Sequence, residues 1–457
     1  MIRILVLLAV LLVCGGWRAG IQAGINKNII TDFGATCNGV ANDLSAFQDF
    51  QTWAIANQGT SRITLTIPAG KTCCFLQVAP TAVWTSGIKD LVVMGYGATL
   101  SSCTTGAGTF FGASRGVYYD NTHQAFVQTA TAGDSTVTLV TAAETSLFTS
   151  GDWALITGVN LQSGGDPPNP QFHEYVQIAS IGVGTITFTA PLRYTYKSTW
   201  PLYSMGDAFH SFPGGPATLY VMDQVWNTRQ EMRGLTIDQG GFFNGVGRYI
   251  VYRDVIFNCS GTISGPYPSQ NMQWQAINLT GTSCITEVDK IIDQMWVYNS
   301  TLQRILVQSS SIKEMHVANS AISDYINGSP ITASAINLTT PLWQMGAYAY
   351  GASSTATIAD STITSLVTTT GANQSSVDTS FTMSGGVMSR AMASGPPNWT
   401  VPGASYNFIK GAAFYPFTVT DMRTNGSNLE VVTSLAGGFP DTGISVKVAP
   451  VTVTVSP

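Results

Sequence analysis

Glu314 and His316 stand two residues apart, and along a strand residues i and i+2 share a face. A carboxylate and an imidazole held about 7 Å apart by the backbone can act together on a substrate as an acid/base pair. Asp238 and Asp254 complete the candidate catalytic set. Trp274, Trp296 and Tyr298, with Asn258 and Asn278, are the candidate substrate-binding residues. Sugars present flat C–H surfaces ringed by hydroxyls, so rings beside carboxylates and amides suit a glycan groove. Stacking of the rings on one another and simple solvation of the charged pair are the structural alternatives.

A repeat is what would position these residues. Ile237, Phe257, Ile277, Val297 and Val317 return every 20 positions, and local words agree in Val297-Tyr-Asn-Ser-Thr-Leu302, Val317-Ala-Asn-Ser-Ala-Ile322 and Ile358-Ala-Asp-Ser-Thr-Ile363. Period-two alternation inside each unit marks strands. One such unit cannot bury its apolar side, so the units stack as rungs about 4.8 Å apart in a parallel β-solenoid. Asn299, Asn319 and Asp360 recur at one rung position, where a turn tolerates unusual backbone angles.

With those five residues pointing inward, three outward columns are expected: Asp238, Asn258, Asn278, Tyr298 and Ala318; Thr236, Ile256, Ala276, Trp296 and His316; Gly234, Asp254, Trp274, Gln294 and Glu314. Cleavage by two carboxylates requires them about 5 to 9.5 Å apart. On this map Asp254 with Glu314, and Asp238 with Asp254, are each separated by roughly 14 Å, so neither pair qualifies.

The N-terminal words Ile30-Thr-Asp-Phe-Gly-Ala35, Cys37-Asn-Gly39, Asn42-Asp43, Ala46-Phe-Gln48 and Ile67-Pro-Ala-Gly70 resemble the opening of the pectate-lyase-like right-handed parallel β-helix superfamily. Cys-Asn-Gly stands where that pattern has Gly-Asp-Gly, and Asn-Asp where it has an acidic pair. The resemblance implies an all-β, right-handed parallel β-helix and admits lyases, glycosidases, epimerases, viral tail spikes and inactive proteins, some of them trimeric. A lyase of this kind would use calcium-binding carboxylates, for which Glu287, Asp289 and Asp293, with Lys290, are the densest candidates. The polygalacturonase pattern of paired Asp with Gly-His-Gly is absent.

Asn42 or Asp43 can cap a helix over Leu44 to Ala56, with Phe47, Phe50 and Ala54 on the face that closes the solenoid's open end. Alternating strands separated by turns over 126–196 read as a small inserted β-module with a loop at 163–170. The main coil is expected over 197–395 and C-terminal strands or a cap over 396–457.

Composition narrows the function. The 457 residues are 44% hydrophobic but only 10% charged, with 46 glycines, so Ser, Thr, Asn and Gln must wet the surface. Residues 1–23, with Arg3 before the apolar run Ile4 to Val13, read as a secretory signal. The expected location is therefore secreted, periplasmic or cell-surface, with no membrane segment in the mature chain. Cys37, Cys73, Cys74, Cys103, Cys259 and Cys284 then permit disulfides without fixing their pairing. The formal charge of −5 argues against nucleic acid. Asn-x-Ser/Thr sequons stand at Asn258, Asn278, Asn299, Asn327, Asn337, Asn373, Asn398 and Asn425, acceptors only in a eukaryotic secretory route. The expected function is polysaccharide binding, with cleavage by lyase or hydrolase chemistry; the alternative is a non-catalytic adhesin or spike.

Overall fold

The computed structural model describes residues 24–103 with short gaps, 109–112, 122–158, 173–199, much of 203–306, then 311–327, 332–345, 354–369 and 379–394, and four strands between 405 and 455. The expected leader and the 163–170 loop lie outside the described residues. Among the described residues, twenty strands join one hydrogen-bonded system. Its rungs pair in parallel: Arg229–Arg233 lies beside Tyr249–Arg253, and Thr236–Asp238 beside Ile256–Asn258. The architecture is the expected all-β parallel β-helix.

Local chemistry explains the corners. Between the two segments of each rung the chain turns at Gly234, Asp254, Asn278, Asn299, Asn319, Asn337 or Asp360, every one at positive φ. Asn and Asp tolerate this left-handed region better than other side chains with a Cβ. Asn278 Nδ2 donates to Asp254 Oδ1 at 2.6 Å, and Asn337 Nδ2 to Asn319 Oδ1 at 3.1 Å. The next residue stitches the rungs. Ser300, Ser320 and Ser361 Oγ accept the backbone N–H groups of Leu279, Ser300 and Leu338 on the preceding rung.

Rung length varies, and this corrects the column map. Tyr249 pairs with Gln273, 24 residues on, whereas Gln294 pairs with Glu314, 20 residues on. Ile237 and Phe257 lie past the corner, but Val297 and Val317 lie before it. The step from Phe257 to Ile277 joins different places on the rung. Ile277 pairs with Arg253 and Tyr298 and lies on the outer side, half-buried. The interior columns are instead Ile250, Trp274, Met295 and Met315, and Tyr252, Ala276, Val297 and Val317, all buried.

The capping helix spans Leu44–Asn57 and buries Ala46, Phe47, Phe50 and Ala54. Phe47 packs on Phe75 with centroids 4.7 Å apart; each buried ring contributes roughly 1.5–3 kcal/mol. Asn42 Oδ1 accepts the Leu44 N–H, while the Asp43 carboxylate accepts those of Thr36, Cys37 and Cys74. Disulfides Cys37–Cys73 and Cys74–Cys103 fasten these first rungs together.

The inserted module is a six-stranded antiparallel sheet of Gln124–Phe126, Thr136–Thr138, Trp153–Thr157, His173–Gly182, Thr185–Phe188 and Thr218–Val221. It extends past 196, because Leu219 belongs to the module's own core, and the coil resumes with the strand Arg229–Asp238. At the far end, Ser405–Lys410, Ala413–Asn425 and Asn428–Ser434 pair antiparallel, and Val451–Val455 adds in parallel to Thr379–Met383.

Candidate functional site

The outer face before the corner carries three adjacent columns. Gln273, Gln294, Glu314 and Thr332 form the first; Gln275, Trp296, His316 and Ser334 the second; Arg253, Ile277, Tyr298 and Ala318 the third. The polar side chains join in one directional chain. Gln275 Nε2 donates to Gln273 Oε1 at 3.1 Å, Gln273 Nε2 to Gln294 Oε1 at 2.9 Å, and Gln294 Nε2 to Glu314 Oε2 at 2.8 Å. A rail of half-buried carboxamides therefore ends on a carboxylate.

Beside it stand the rings. Trp296 stacks on His316 with centroids 3.9 Å apart, and on Tyr298 at 5.7 Å. His316 Nδ1 lies 2.6 Å from Ser334 Oγ, and His316 Nε2 lies 3.6 Å from Glu314 Oε2, an ion-pair contact longer than a hydrogen bond. His316 and Gln294 hold the Glu314 carboxyl below its usual range, against the upward push of burial, and Arg193 of the module adds to the lowering. Glu314 is thus an acceptor near neutrality and unsuited to giving up a proton.

The module walls the side of the face next to the first column. The Asp293 carboxylate meets Lys313 Nζ at 2.9 Å and His173 Nε2, from the module, at 3.1 Å. Lys313 also lies over the Tyr194 ring, 5.6 Å from its centroid. Burial and the nearby Glu174 carboxylate push the Tyr194 hydroxyl up to about 12. Further along the seam Arg248 lies 4.4 Å from the Trp153 centroid, and Trp226 stacks on Tyr175 at 4.6 Å.

Of the residues expected from sequence, Glu314, His316, Trp296 and Tyr298 come together here. Trp274 is a correction: it is fully buried between Ile250 and Met295, because the 24-residue rung shifts its register by four, and it cannot be a sugar platform. Asp254 and Asn278 sit at the corner, bonded to each other, with Tyr96 Oη donating to Asp254 Oδ2 at 2.7 Å. Asp238 and Asn258 pair past the corner, away from Glu314. The expected columns that joined Asp238 to Tyr298 and Asp254 to Glu314 therefore do not exist. Sequence reasoning missed Gln273, Gln275 and the module residues Arg193 and Tyr194; the first two were open to discovery, since Gln273 and Gln275 stand one rung before Gln294 and Trp296, the pairing partners of Glu314 and His316.

The calcium expectation does not fit its one described ligand. Asp293 faces the module and its carboxylate is occupied by an ammonium and an imidazole, while Asp289 and Lys290 and the side chain of Glu287 lie outside the described residues. Cys37, Asp43 and Cys73 form the one cluster of suitable atoms among the described residues, but both cysteines are in a disulfide and the carboxylate is held by backbone N–H groups.

No protein-family model and no curated protein matches the chain. Among solved structures it is similar to the Gp54 tailspike of Acinetobacter baumannii bacteriophage AP22, solved with A. baumannii capsular saccharide, at 12% identity and TM-score 0.37 over 84% of this chain and 74% of that one. The tailspike gp49 from Pseudomonas phage LKA1 gives 10% identity and TM-score 0.43 over 82% of each chain. The Pseudomonas phage phi297 tailspike gp61 gives 10% and 0.34 over 88% of each. Identities this low do not carry function across.

Proposed function

We propose that this protein binds polysaccharide along the outer face bounded by the corner ladder and the inserted module, as an exported or cell-surface protein. The observation that supports the reading is the carboxamide rail from Gln275 to Glu314 running beside the Trp296–His316 stack. Rails of amide donors and acceptors match hydroxyls repeated along a polymer, and rings fixed by mutual stacking lose little freedom when a sugar settles on them. The polymer lies along the coil, spanning one rung per about 4.8 Å.

A second reading, cleavage, is favoured by the Glu314–His316 contact. Ser334 fixes the His316 ring through Nδ1, leaving Nε2 on the Glu314 side. Asp293 is committed to Lys313 and His173 and so is no second carboxylate for hydrolysis. Proton transfer by His316, with Glu314 as the oriented acceptor, is the chemistry this arrangement can supply.

The test is affinity electrophoresis of the intact protein through a panel of neutral and acidic polysaccharides, with each polymer also assayed for new reducing ends and unsaturated products. Retention by at least one polymer is expected. Free migration through the whole panel would sink the reading.

A further inference from the structure

On the same outer face, two and three rungs before Tyr298, three guanidinium groups surround one buried carboxylate. Glu231 is fully buried. Its Oε1 accepts Arg233 Nη2 at 2.7 Å, Arg233 Nε at 3.0 Å and Arg253 Nε at 3.2 Å, and its Oε2 accepts Arg229 Nη2 at 3.1 Å. Asp90 is taken up by a bidentate contact from Arg62, while Asp254, whose two oxygens accept from the neutral Asn278 and Tyr96 hydroxyl, keeps its charge and feels Arg253 and Arg233. Two carboxylates, Glu231 and Asp254, therefore stand against three guanidinium groups, which leaves one positive charge over.

The exposures run the opposite way to those of a buried ion pair. The arginine side chains are 26%, 31% and 37% exposed for Arg229, Arg233 and Arg253, while Glu231 is 0% exposed. Glu231 thus acts as an internal strut that fixes three cationic heads at the surface. A guanidinium has five N–H donors in a planar fork, and among the described residues Arg253 donates only its Nε, to Glu231, so both of its Nη groups can face a second oxyanion. Groups already held in place lose little freedom on capturing such an anion.

Position links the cluster to the polymer. Arg253 pairs with Ile277 and Ile277 with Tyr298, so the Arg253 backbone is two rungs, about 10 Å, from that of Tyr298 in the same column. A glycan lying along the coil covers that interval with about a disaccharide. Resting on the glycan reading above, we infer that Arg253 and Arg233, braced by Glu231, form an anion subsite that selects a polymer bearing a carboxylate, sulfate or phosphate group.

The experiment compares each acidic polymer that the wild-type protein retains with the same polymer after carboxyl reduction, desulfation or dephosphorylation, which separates the sources of the anion. Native polymer should be held at least about tenfold more tightly than its neutralised form, the minimum expected of charge-assisted hydrogen bonds. Arg253→Gln should lower affinity for the native form by a similar factor and so erase most of the preference for native over neutralised polymer. If Arg253→Gln does not fold, Arg253→Lys, which keeps the charge facing Glu231 but loses the fork, makes the same comparison and should fall between. Equal affinity for native and neutralised polymer, or an unchanged preference in a folded variant, overturns the subsite while leaving glycan binding in place. Retention of no polymer at all overturns both.

Discussion

Replacing Asp293 with Asn should loosen the module from the coil, and the size of the effect follows from the seam's geometry. Asp293 Oδ1 lies 2.9 Å from Lys313 Nζ and 3.1 Å from His173 Nε2, with side-chain exposures of 11%, 4% and 0% for Asp293, Lys313 and His173. Burial alone would raise this carboxyl, but Lys313 and His173 outweigh it and hold it down to about 2 from the usual 3.8. A lowering of that size corresponds to roughly 2 kcal/mol favouring the folded state at neutral pH. Asn removes this and also strands a buried ammonium, so the total loss should approach 3–5 kcal/mol, roughly what breaking a buried pair costs. Because the folded value is depressed, the contribution is complete above about pH 4 and is lost as pH falls through about 2; Asp293→Asn should lack that part of the acid profile. The measurement is urea denaturation followed by tryptophan fluorescence, since Trp153 and Trp226 lie at the seam. Stacked rungs need not unfold in two states, so midpoints are compared, with Asp293→Leu/Lys313→Met as the partner variant expected near or above wild type. A single-variant loss below about 0.5 kcal/mol, the level of an ordinary surface change, would show that the seam is open to water and refute the reasoning.

Trp274→Ala should lower stability by roughly 3–5 kcal/mol by leaving a cavity among Ile250, Tyr252 and Met295. At a temperature where that variant remains folded, its polysaccharide retention should equal that of wild type; loss of retention without loss of stability would return Trp274 to the outer face. If a polymer in the panel is cut, Glu314→Gln and His316→Ala should each reduce product formation by about 100-fold or more, the usual scale of acid–base assistance. Full turnover in both variants would place the chemistry elsewhere.

Features with local causes were readable from sequence. The Asn-Ser and Asp-Ser words at Asn299, Asn319 and Asp360 mark corners because one side chain must accept positive φ and the next must bond the rung behind. The capping helix was equally open to reading, since its buried face is set by Phe47, Phe50 and Ala54 within three turns. Trp274 was misplaced because an apolar residue, Ile277, happens to stand 20 positions after Phe257 although that rung holds 24 residues. An insertion inside a repeat leaves the spacing of apolar residues intact on either side and is silent where it joins them. The seam was beyond reach for a different reason: His173 and Asp293 are 120 residues apart, and no local pattern announces that a buried imidazole will meet a buried carboxylate. The Glu231 cluster is intermediate, for Arg229, Glu231 and Arg233 alternate in one strand, but their partner Arg253 comes from the next rung.

The central claim is that the Trp296 face of the coil is where polysaccharide binds. Its most direct test is retention of the double variant Trp296→Ala/Tyr298→Ala on whichever polymer holds the wild-type protein, alongside a thermal melt. Both side chains are only half-buried, so the coil should melt within a few degrees of wild type. Retention should then fall at least about tenfold, as expected when ring contacts worth more than a kilocalorie are removed. Unchanged retention by a folded double variant would contradict the claim and move the polymer to another face of the solenoid.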